Sequence, residues 1–221
     1  MAAQSSGKTD DLSTLFATSF KYRQNNKDGD VKTGLLSKAL KLDHNRTIVD
    51  TTACATFTEL IATGGPYVIG TQLRFTPDGG NITAIDTIAA TTGNWMFDAA
   101  KTLSYVKTED WSTVPEASRS DRKTLQAAAD AYLDMWSDSS AKAKVPWGNP
   151  CTRTEGSMHV TPDCRSGAPS GGGTKNSDRR YVIDETVGSC DVLVAFGGRQ
   201  PDSHEFRLVG GKLVLVHTVT V

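Results

Sequence analysis

The sequence predicts an α+β fold in which helices pack on curved antiparallel sheets. Helical periodicity is confined to stretches outside two blocks of β-rich sequence, and the two blocks resemble each other. The first begins at Arg46 and the second at Arg180, and each has an Arg-x-x-x-Asp strand, a proline and then a Gly-Gly turn. Runs of helix followed by runs of strands are typical of this fold class rather than of an alternating parallel sheet.

The similarity of the two blocks suggests an internal duplication. Their separation is far longer than a solenoid repeat, so the blocks are interpreted as two half-domains or two similar packed sheets. Chance similarity between hairpins with glycine turns is the alternative interpretation. The predicted organisation is an N-terminal half, residues 1–115, with helices and a first sheet, and a C-terminal half, residues 116–221. A chain of 221 residues can bury both in one compact unit.

The first half is predicted to contain two helices and three strands. Leu12, Leu15, Phe16 and Phe20 recur at helical spacing, and residues 31–40 suggest a second, shorter helix. Residues 47–90 are rich in β-branched residues and carry a glycine turn, which indicates three strands. Residues 95–111 are interpreted as a short helix and a loop.

The second half is predicted to contain one well-defined helix and four closing strands. The helix is indicated by a single apolar stripe, formed by Leu125, Ala128, Ala129, Tyr132, Leu133 and Trp136. Residues 145–178 are rich in Pro, Gly, Ser and Cys and are interpreted as an irregular covering loop. The strands are separated by turns near Gly188, Gly198 and Gly210.

The last hairpin leads to the candidate catalytic residues. Counting outward from a two-residue Gly210-Gly211 turn pairs His204 with His217 and places Asp202 as a neighbour on the same face. Two histidines on an otherwise apolar wall, beside a carboxylate, are suited to proton transfer near neutral pH. The structural alternative is that the histidines bond to each other, to Asp202 or to loop carbonyls. Asp86, at the equivalent place in the first block, is a weaker candidate, with turn capping or pairing to Arg74 or Thr71 as its alternative role.

Composition excludes several classes of function. The formal net charge is −1 and no basic run is present, so nucleic acid is not an expected partner. No apolar stretch approaches the ~20 residues that a membrane span requires. The expected location is the secretory pathway with a leader removed, with the cytoplasm as the alternative. A Cys151–Cys164 disulfide is predicted around a short polar loop, with Cys54 and Cys190 as free thiols.

A family resemblance rests on an ordered set of motifs in the second half. The motifs are Val145-Pro146-Trp147-Gly148, Pro150-Cys151, Arg153 with Glu155-Gly156, Tyr181 to Glu185, Pro201 to Arg207, and Gly210 to Leu213 with Val216-His217-Thr218. The closing strands look like those of the nuclear transport factor 2-like, or SnoaL-like, cone fold. The whole set is similar to an uncharacterised domain of this type found in fungal, often secreted, proteins.

This resemblance implies a curved antiparallel sheet that wraps a helix and encloses a mostly apolar pocket. SnoaL-like enzymes generally need no cofactor and use an acid or base on the cone wall, where His204 and His217 match. A metal held by the histidine pair and Asp202 is the alternative, but no metal-binding signature supports it. Related cones often pair through the outer face of the sheet, which makes a homodimer an expectation.

The leading functional hypothesis is a cofactor-independent isomerase, cyclase or dehydratase acting on a small hydrophobic metabolite, such as a polyketide or terpenoid. The alternative is a secreted module that binds a small ligand or another partner without turnover. Fold alone does not decide between them. Side chains assigned to substrate binding are Tyr67, Trp95, Phe206 and Leu215.

Overall fold

The computed structural model describes residues 1–221 and contains two six-stranded sheets with four α-helices. The helices are α1 (Ala2–Ser6), α2 (Asp10–Ser13), α3 (Ala99–Val106) and α4 (Arg122–Asp134). The first sheet contains β1 (Phe16–Gln24), β2 (Lys27–Asp28), β3 (His44–Asp50), β4 (Ala55–Ala62), β5 (Tyr67–Phe75) and β6 (Ile82–Thr91). The second contains β7 (Trp147–Glu155), β8 (Met158–Val160), β9 (Ser177–Asp184), β10 (Ser189–Phe196), β11 (Gln200–Val209) and β12 (Lys212–Thr220).

The two sheets have the same strand order. The first runs β2-β1-β6-β5-β4-β3 and the second β8-β7-β12-β11-β10-β9, so each strand of the first has a counterpart six strands later. In both sheets one pair is parallel, β1 with β6 and β7 with β12, and the remaining pairs are antiparallel. The predicted α+β class is confirmed, but the sheets are mixed rather than purely antiparallel.

Both principal hairpins contain a bulge at the equivalent residue. In the second sheet Leu208 pairs with Leu213, but Arg207 then pairs with Leu215, so Val214 is an extra residue. In the first sheet Phe75 pairs with Ile82 and Arg74 with Ala84, so Thr83 is extra. One extra residue moves every later side chain of its strand to the opposite face.

The bulge overturns the predicted register beyond the glycine turn. His204 pairs with Thr218 rather than with His217, and His217 pairs with Glu205. Because neighbouring residues of a strand point to opposite faces, His204 and His217 lie on opposite sides of the second sheet. The bulge at Thr83 has the same effect in the first hairpin, where Leu73 pairs with Ile85 and Gln72 with Asp86.

The two sheets pack against each other through one face each. At one end of the contact Ile48 and Phe57 of the first sheet form an apolar cluster with Val182 of the second. The centre of the contact is polar, and Gln72 donates a hydrogen bond to Asp191 at 2.6 Å. The buried layer between the sheets therefore combines apolar packing with hydrogen bonds and ion pairs.

The opposite faces of the two sheets are covered by different elements. On the second sheet α4 buries Leu125, Tyr132 and Leu133 against strand residues that include Val192 and Phe206. The Asp121 side chain caps α4 by accepting a hydrogen bond from the backbone N–H of Thr124 at 2.7 Å. On the first sheet the cover consists of the N-terminal residues and the segment around Leu35 and Leu40.

Several element predictions are confirmed and others are wrong. The helix at α4, the four closing strands and the Cys151–Cys164 disulfide are present. The first predicted helix is wrong, because Phe16 begins strand β1; the second is only a 3₁₀ turn at Leu35–Ser37. Residues 47–90 hold four strands rather than three, and the predicted covering loop contains β7 and β8. None of the helices has the length and apolar character needed to cross a lipid bilayer.

Candidate functional site

The second sheet and α4 enclose a cavity of about 350 Å³, which we call the second-half cavity. It opens where the end of α4 meets the ends of β10, β11 and β12. The lining residues come from the sheet, the end of α4 and two crossing loops: Trp95, Trp136, Arg153, Glu155, Gly167, Pro169, Phe196, Gln200, Asp202, His204, Thr218 and Thr220. This volume is within the range of small-molecule sites.

His204 and Asp202 form a hydrogen-bonded pair in this cavity. Both are side chains of β11, two residues apart, so they share the face that α4 covers. His204 Nδ1 lies 2.5 Å from Asp202 Oδ1, and the hydroxyl of Thr220 donates to Asp202 Oδ2 at 2.7 Å. Because a carboxylate only accepts hydrogen bonds, it assigns a hydrogen to Nδ1 and leaves Nε2 as the ring nitrogen that Asp202 does not engage. The hydrogen bond between His204 and Asp202 is the one considered from the sequence as the structural alternative.

The imidazole of His204 lies among aromatic rings. Its ring is nearly parallel to Phe196 and Phe206, with centroid distances of 5.9 Å to each. Trp136 approaches it edge-on at 6.0 Å, and Tyr132 lies 5.8 Å away. The imidazole of His204 is therefore packed on several sides by aromatic rings, with 2% of its residue surface exposed.

A second polar group lies across the cavity on β7. The side chains of Arg153 and Glu155 approach to 3.6 Å, and Arg153 also donates to the carbonyl of Ser166 at 2.7 Å. Burial, reinforced by the charge of Glu155, raises the pKa of the Tyr132 hydroxyl, which keeps this tyrosine protonated. The Nε of Arg153 and the hydroxyl of Thr218 are buried without a hydrogen-bond partner in the protein.

His217 lies outside the second-half cavity, in the layer between the sheets. Its Nε2 is 2.8 Å from Glu59 Oε1 and its Nδ1 is 3.2 Å from Glu109 Oε1. Burial alone would lower the pKa of His217, but the charges of the two carboxylates outweigh it and raise the pKa well above the usual 6.5. Its predicted place beside His204 is therefore wrong, and so is the metal set that the two histidines and Asp202 would have formed.

Asp86 also lies in the layer between the sheets. Its Oδ2 is 2.6 Å from Arg180 Nε and 3.7 Å from Arg23 Nη1. Burial raises the pKa of Asp86, and the two arginines oppose that shift. Asp86 thus makes neither the turn cap nor the Arg74 or Thr71 pair considered from the sequence, and it does not line the second-half cavity.

The four side chains assigned to substrate binding do not come together. Trp95 lines the second-half cavity, whereas Phe206 is fully buried behind His204 in the core. Tyr67 packs at the edge of the first sheet, and Leu215 lies in a separate surface groove. Trp95 alone remains a direct candidate for contact with a ligand.

Sequence reasoning missed most of the cavity wall. Thr218 and Thr220 face the cavity only because the bulge at Val214 brings them opposite His204 and Asp202. Arg153 and Glu155 have an i, i+2 spacing typical of one strand face. The Pro, Gly, Ser and Cys content of residues 145–178 favours a loop and hides this signal. No group of three or more His, Cys, Asp or Glu side chains is arranged to hold a metal ion.

Comparisons with known proteins place the family match in the second half. Residues 118–220 match a family model described as a domain of unknown function (DUF8021), which includes α4 and the second sheet. A fold comparison finds the crystal structure of an NTF2-like protein from Bacteroides fragilis, with 11% identity over 100% of this chain and 95% of that chain. Its TM-score is 0.23, which is too low to carry any argument about this chain. No curated protein matches the sequence significantly.

Proposed function

We propose that this protein is a cofactor-independent acid/base enzyme that acts on a small molecule in the second-half cavity. The observation that carries the proposal is the His204–Asp202 pair, in which the carboxylate holds Nδ1 and leaves Nε2 of a buried imidazole for the ligand. Thr220 fixes the second oxygen of the carboxylate. This arrangement orients the imidazole in one tautomer, as catalytic bases require.

The proposed reaction is a proton shift of the kind that serves isomerisation, cyclisation or dehydration. His204 Nε2 takes a proton from a C–H or O–H of the substrate, and the imidazolium that forms is stabilised by the Asp202 carboxylate. The same Nε2–H then returns the proton to another atom of the substrate or to a leaving hydroxyl. No redox equivalent enters the step.

The cavity lining defines the proposed substrate more closely than hydrophobicity alone. Trp136 and Phe196 offer flat apolar contact, but Arg153, Glu155, Gln200 and the two threonines are polar. The substrate is therefore a molecule with an unsaturated or aromatic portion and an oxygen substituent. Polyketide-like and terpenoid-like metabolites with a carbonyl or hydroxyl group fit this description.

Hydrogen–deuterium exchange at the ligand tests the catalytic role. Small molecules that co-purify with the protein would be identified by mass spectrometry and incubated with it in D₂O. We expect the wild type to convert the ligand or to exchange a carbon-bound hydrogen, and His204→Gln to be about 10²–10⁴-fold slower. His159→Gln is the matched control, because His159 stacks on Tyr105 and does not line the second-half cavity.

The alternative function is ligand binding without turnover. It predicts saturable binding of the co-purified molecule by the wild type with neither conversion nor exchange. Equal exchange rates for the wild type and His204→Gln would likewise remove His204 from the mechanism.

A further inference from the structure

A second cavity, of about 540 Å³, lies on the first sheet and is called here the first-half cavity. Its floor is the outer face of β4, β5 and β6, and its roof is formed by the N-terminal residues with α1 and α2. Nine of its 15 lining residues are hydrophobic. The apolar part of the floor is formed by Leu60, Leu73 and Ile85.

In the second half, helix α4 fills the space that is equivalent to the first-half cavity. By strand register Thr71, Leu73 and Ile85 occupy the places of His204, Phe206 and Val216. In the second half those places are covered by the apolar face of α4, with Tyr132 packed against Phe206. The first half has no counterpart of α4 on this face, and the Leu12 and Leu36 side chains that pack there leave part of the equivalent volume open.

The polar groups around the first-half cavity are already satisfied. Thr71 bonds to Thr87 at 3.0 Å, and Thr58 bonds to Thr47 at 2.9 Å. The amide of Gln4 donates to the carbonyls of Leu35 and Lys38, both at 2.9 Å, which anchors α1. No lining residue leaves a buried side-chain N or O atom without a partner. The interior therefore contains no buried side-chain polar atom that needs a ligand as its partner, which favours an apolar ligand.

The charged side chains of the lining lie at its solvent side. Lys8 and Asp11 are both exposed, and their opposite charges give the opening no net sign. Leu15, also at this opening, is 48% exposed. Burial of a charged group here would be unfavourable, because no buried counter-ion is present.

We propose that the first-half cavity is a second binding site, for a neutral and largely apolar small molecule. Such a ligand would fill the space that α4 occupies in the other half and would bury Leu12, Leu15 and Leu36 of the roof. Its volume falls within the range of small-molecule sites. The site is distinct from the His204 cavity and does not depend on catalysis there.

Binding of the neutral fluorophore N-phenyl-1-naphthylamine to the full chain tests the proposal. We expect saturable binding by the wild type and, for Ala3→Phe, an affinity at least about tenfold weaker, since the added ring enters the cavity from α1. Ser5→Phe is the matched control, because Ser5 is an exposed residue of the same helix outside the lining. Gln200→Trp narrows the second-half cavity instead. Ser5→Phe and Gln200→Trp are both expected to bind the fluorophore as the wild type does.

Methyl NMR of the wild type with 1-dodecanol gives a test that needs no variant. We expect shifts at the methyl groups of Leu12, Leu36, Leu60, Leu73 and Ile85. Shifts confined to residues around the second-half cavity would overturn the proposal. So would weakening of fluorophore binding by Gln200→Trp but not by Ala3→Phe, or absence of saturable binding by the wild type.

Discussion

The two halves of the molecule share a strand order, a parallel pair and a bulge, yet they use the same sheet face differently. In the second half α4 fills the centre of that face and leaves a cavity at its rim, where His204 lies. In the first half Leu35 and Leu40 fill the rim against Ile69 and Ala89, and the centre is only partly filled. The cavities are therefore complementary in position.

The two halves also differ in the side chains at equivalent places, because only the second half has a histidine–carboxylate pair there. Where the second sheet has His204 beside Asp202, the first sheet has Thr71 beside Ile69. Thr71 has no titratable group near neutral pH, and Ile69 cannot orient one. The same strand order thus supports a cavity with a histidine–carboxylate pair on one sheet and a mainly apolar cavity on the other, and shared fold does not imply shared function.

The largest loss of stability is expected when the side chain that fills the core of the second half is removed. Tyr132 is fully buried and packs on Trp136, Trp147, His204 and Phe206. Replacement of Tyr132 with alanine is expected to lower the free energy of unfolding by about 3–5 kcal/mol, because it opens a cavity in a packed core. Chemical denaturation followed by tryptophan fluorescence measures the loss. A change below about 1 kcal/mol would contradict the assignment of α4 as the core of this half.

The disulfide of the second half has no counterpart in the first. Cys151 and Cys164 close a 13-residue separation, and the loop beyond Cys164 supplies Gly167 and Pro169 to the second-half cavity. Replacing both cysteines with serine is expected to cost about 3 kcal/mol of stability. It should also weaken ligand binding at that cavity, measured by calorimetry, while leaving fluorophore binding at the first-half cavity unchanged. Equal weakening at both cavities would show that the bridge acts on the whole molecule.

The pH dependence of stability tests how the two halves are joined. Because the pKa of His217 is raised well above its ordinary 6.5 in the folded protein, its contribution is fully present below pH 6.5. That contribution is lost as the pH rises above 6.5 towards the folded pKa, with a limiting slope of about 1.4 kcal/mol per pH unit. His217→Gln should remove this slope, as seen in unfolding free energies measured between pH 7 and 8.5. A variant with the same slope as the wild type would mean that other groups produce it.

The ion-pair cluster of His217, Glu59 and Glu109 has the opposite pH dependence at acid pH, where its contribution to stability falls as the pH falls. Glu59 and Glu109 are buried, which would raise the pKa of each, but the charge of His217 outweighs burial and lowers both pKa values below their ordinary 4.5. Their contribution is present above pH 4.5 and is lost as the pH falls through the folded values. Between pH 4.5 and 6.5 the cluster is therefore at its most stabilising.

The smallest effect is expected where the first half is least filled. Leu12 contacts the first-half cavity and is only partly buried. Leu12→Ala is expected to cost less than about 1 kcal/mol, since little packing is lost at an open site. The same denaturation assay, applied to both Leu12→Ala and Tyr132→Ala, gives the ratio of the stability losses in the two halves. A cost similar to that of Tyr132→Ala would contradict the difference in filling.

Much of the second half could be predicted from local sequence, because its signals are local. The apolar stripe of α4 and the strands bounded by glycine turns follow from short-range periodicity. Strand β1 could not be predicted in this way, because Phe16 and Phe20 have helical spacing. The strand depends on parallel pairing with β6, which is the last strand of the same sheet in chain order. Strand β7 depends on β12 for the same reason.

The candidate site was predictable to the extent that it lies on one strand. Asp202 and His204 are two residues apart on β11, so their shared face needs only strand periodicity. The predicted pairing of His217 with His204 is wrong because of the bulge at Val214. A bulge depends on how a strand fits its partners, and the glycine turn does not indicate it. Recognition of His217 by Glu59 and Glu109 requires knowledge of how the two sheets pack, which no local pattern contains.

The contact between the sheets has a consequence for how the cavities persist in dilute solution. Arg46 of the first sheet binds Glu205 of the second through both of its terminal nitrogens, and residues 92–146 connect the two sheets covalently. Two separate subunits joined by such contacts would come apart on dilution, whereas a connecting segment keeps the partners at high effective concentration. The two sheets therefore stay paired within one chain when the protein is diluted, from millimolar to nanomolar concentration.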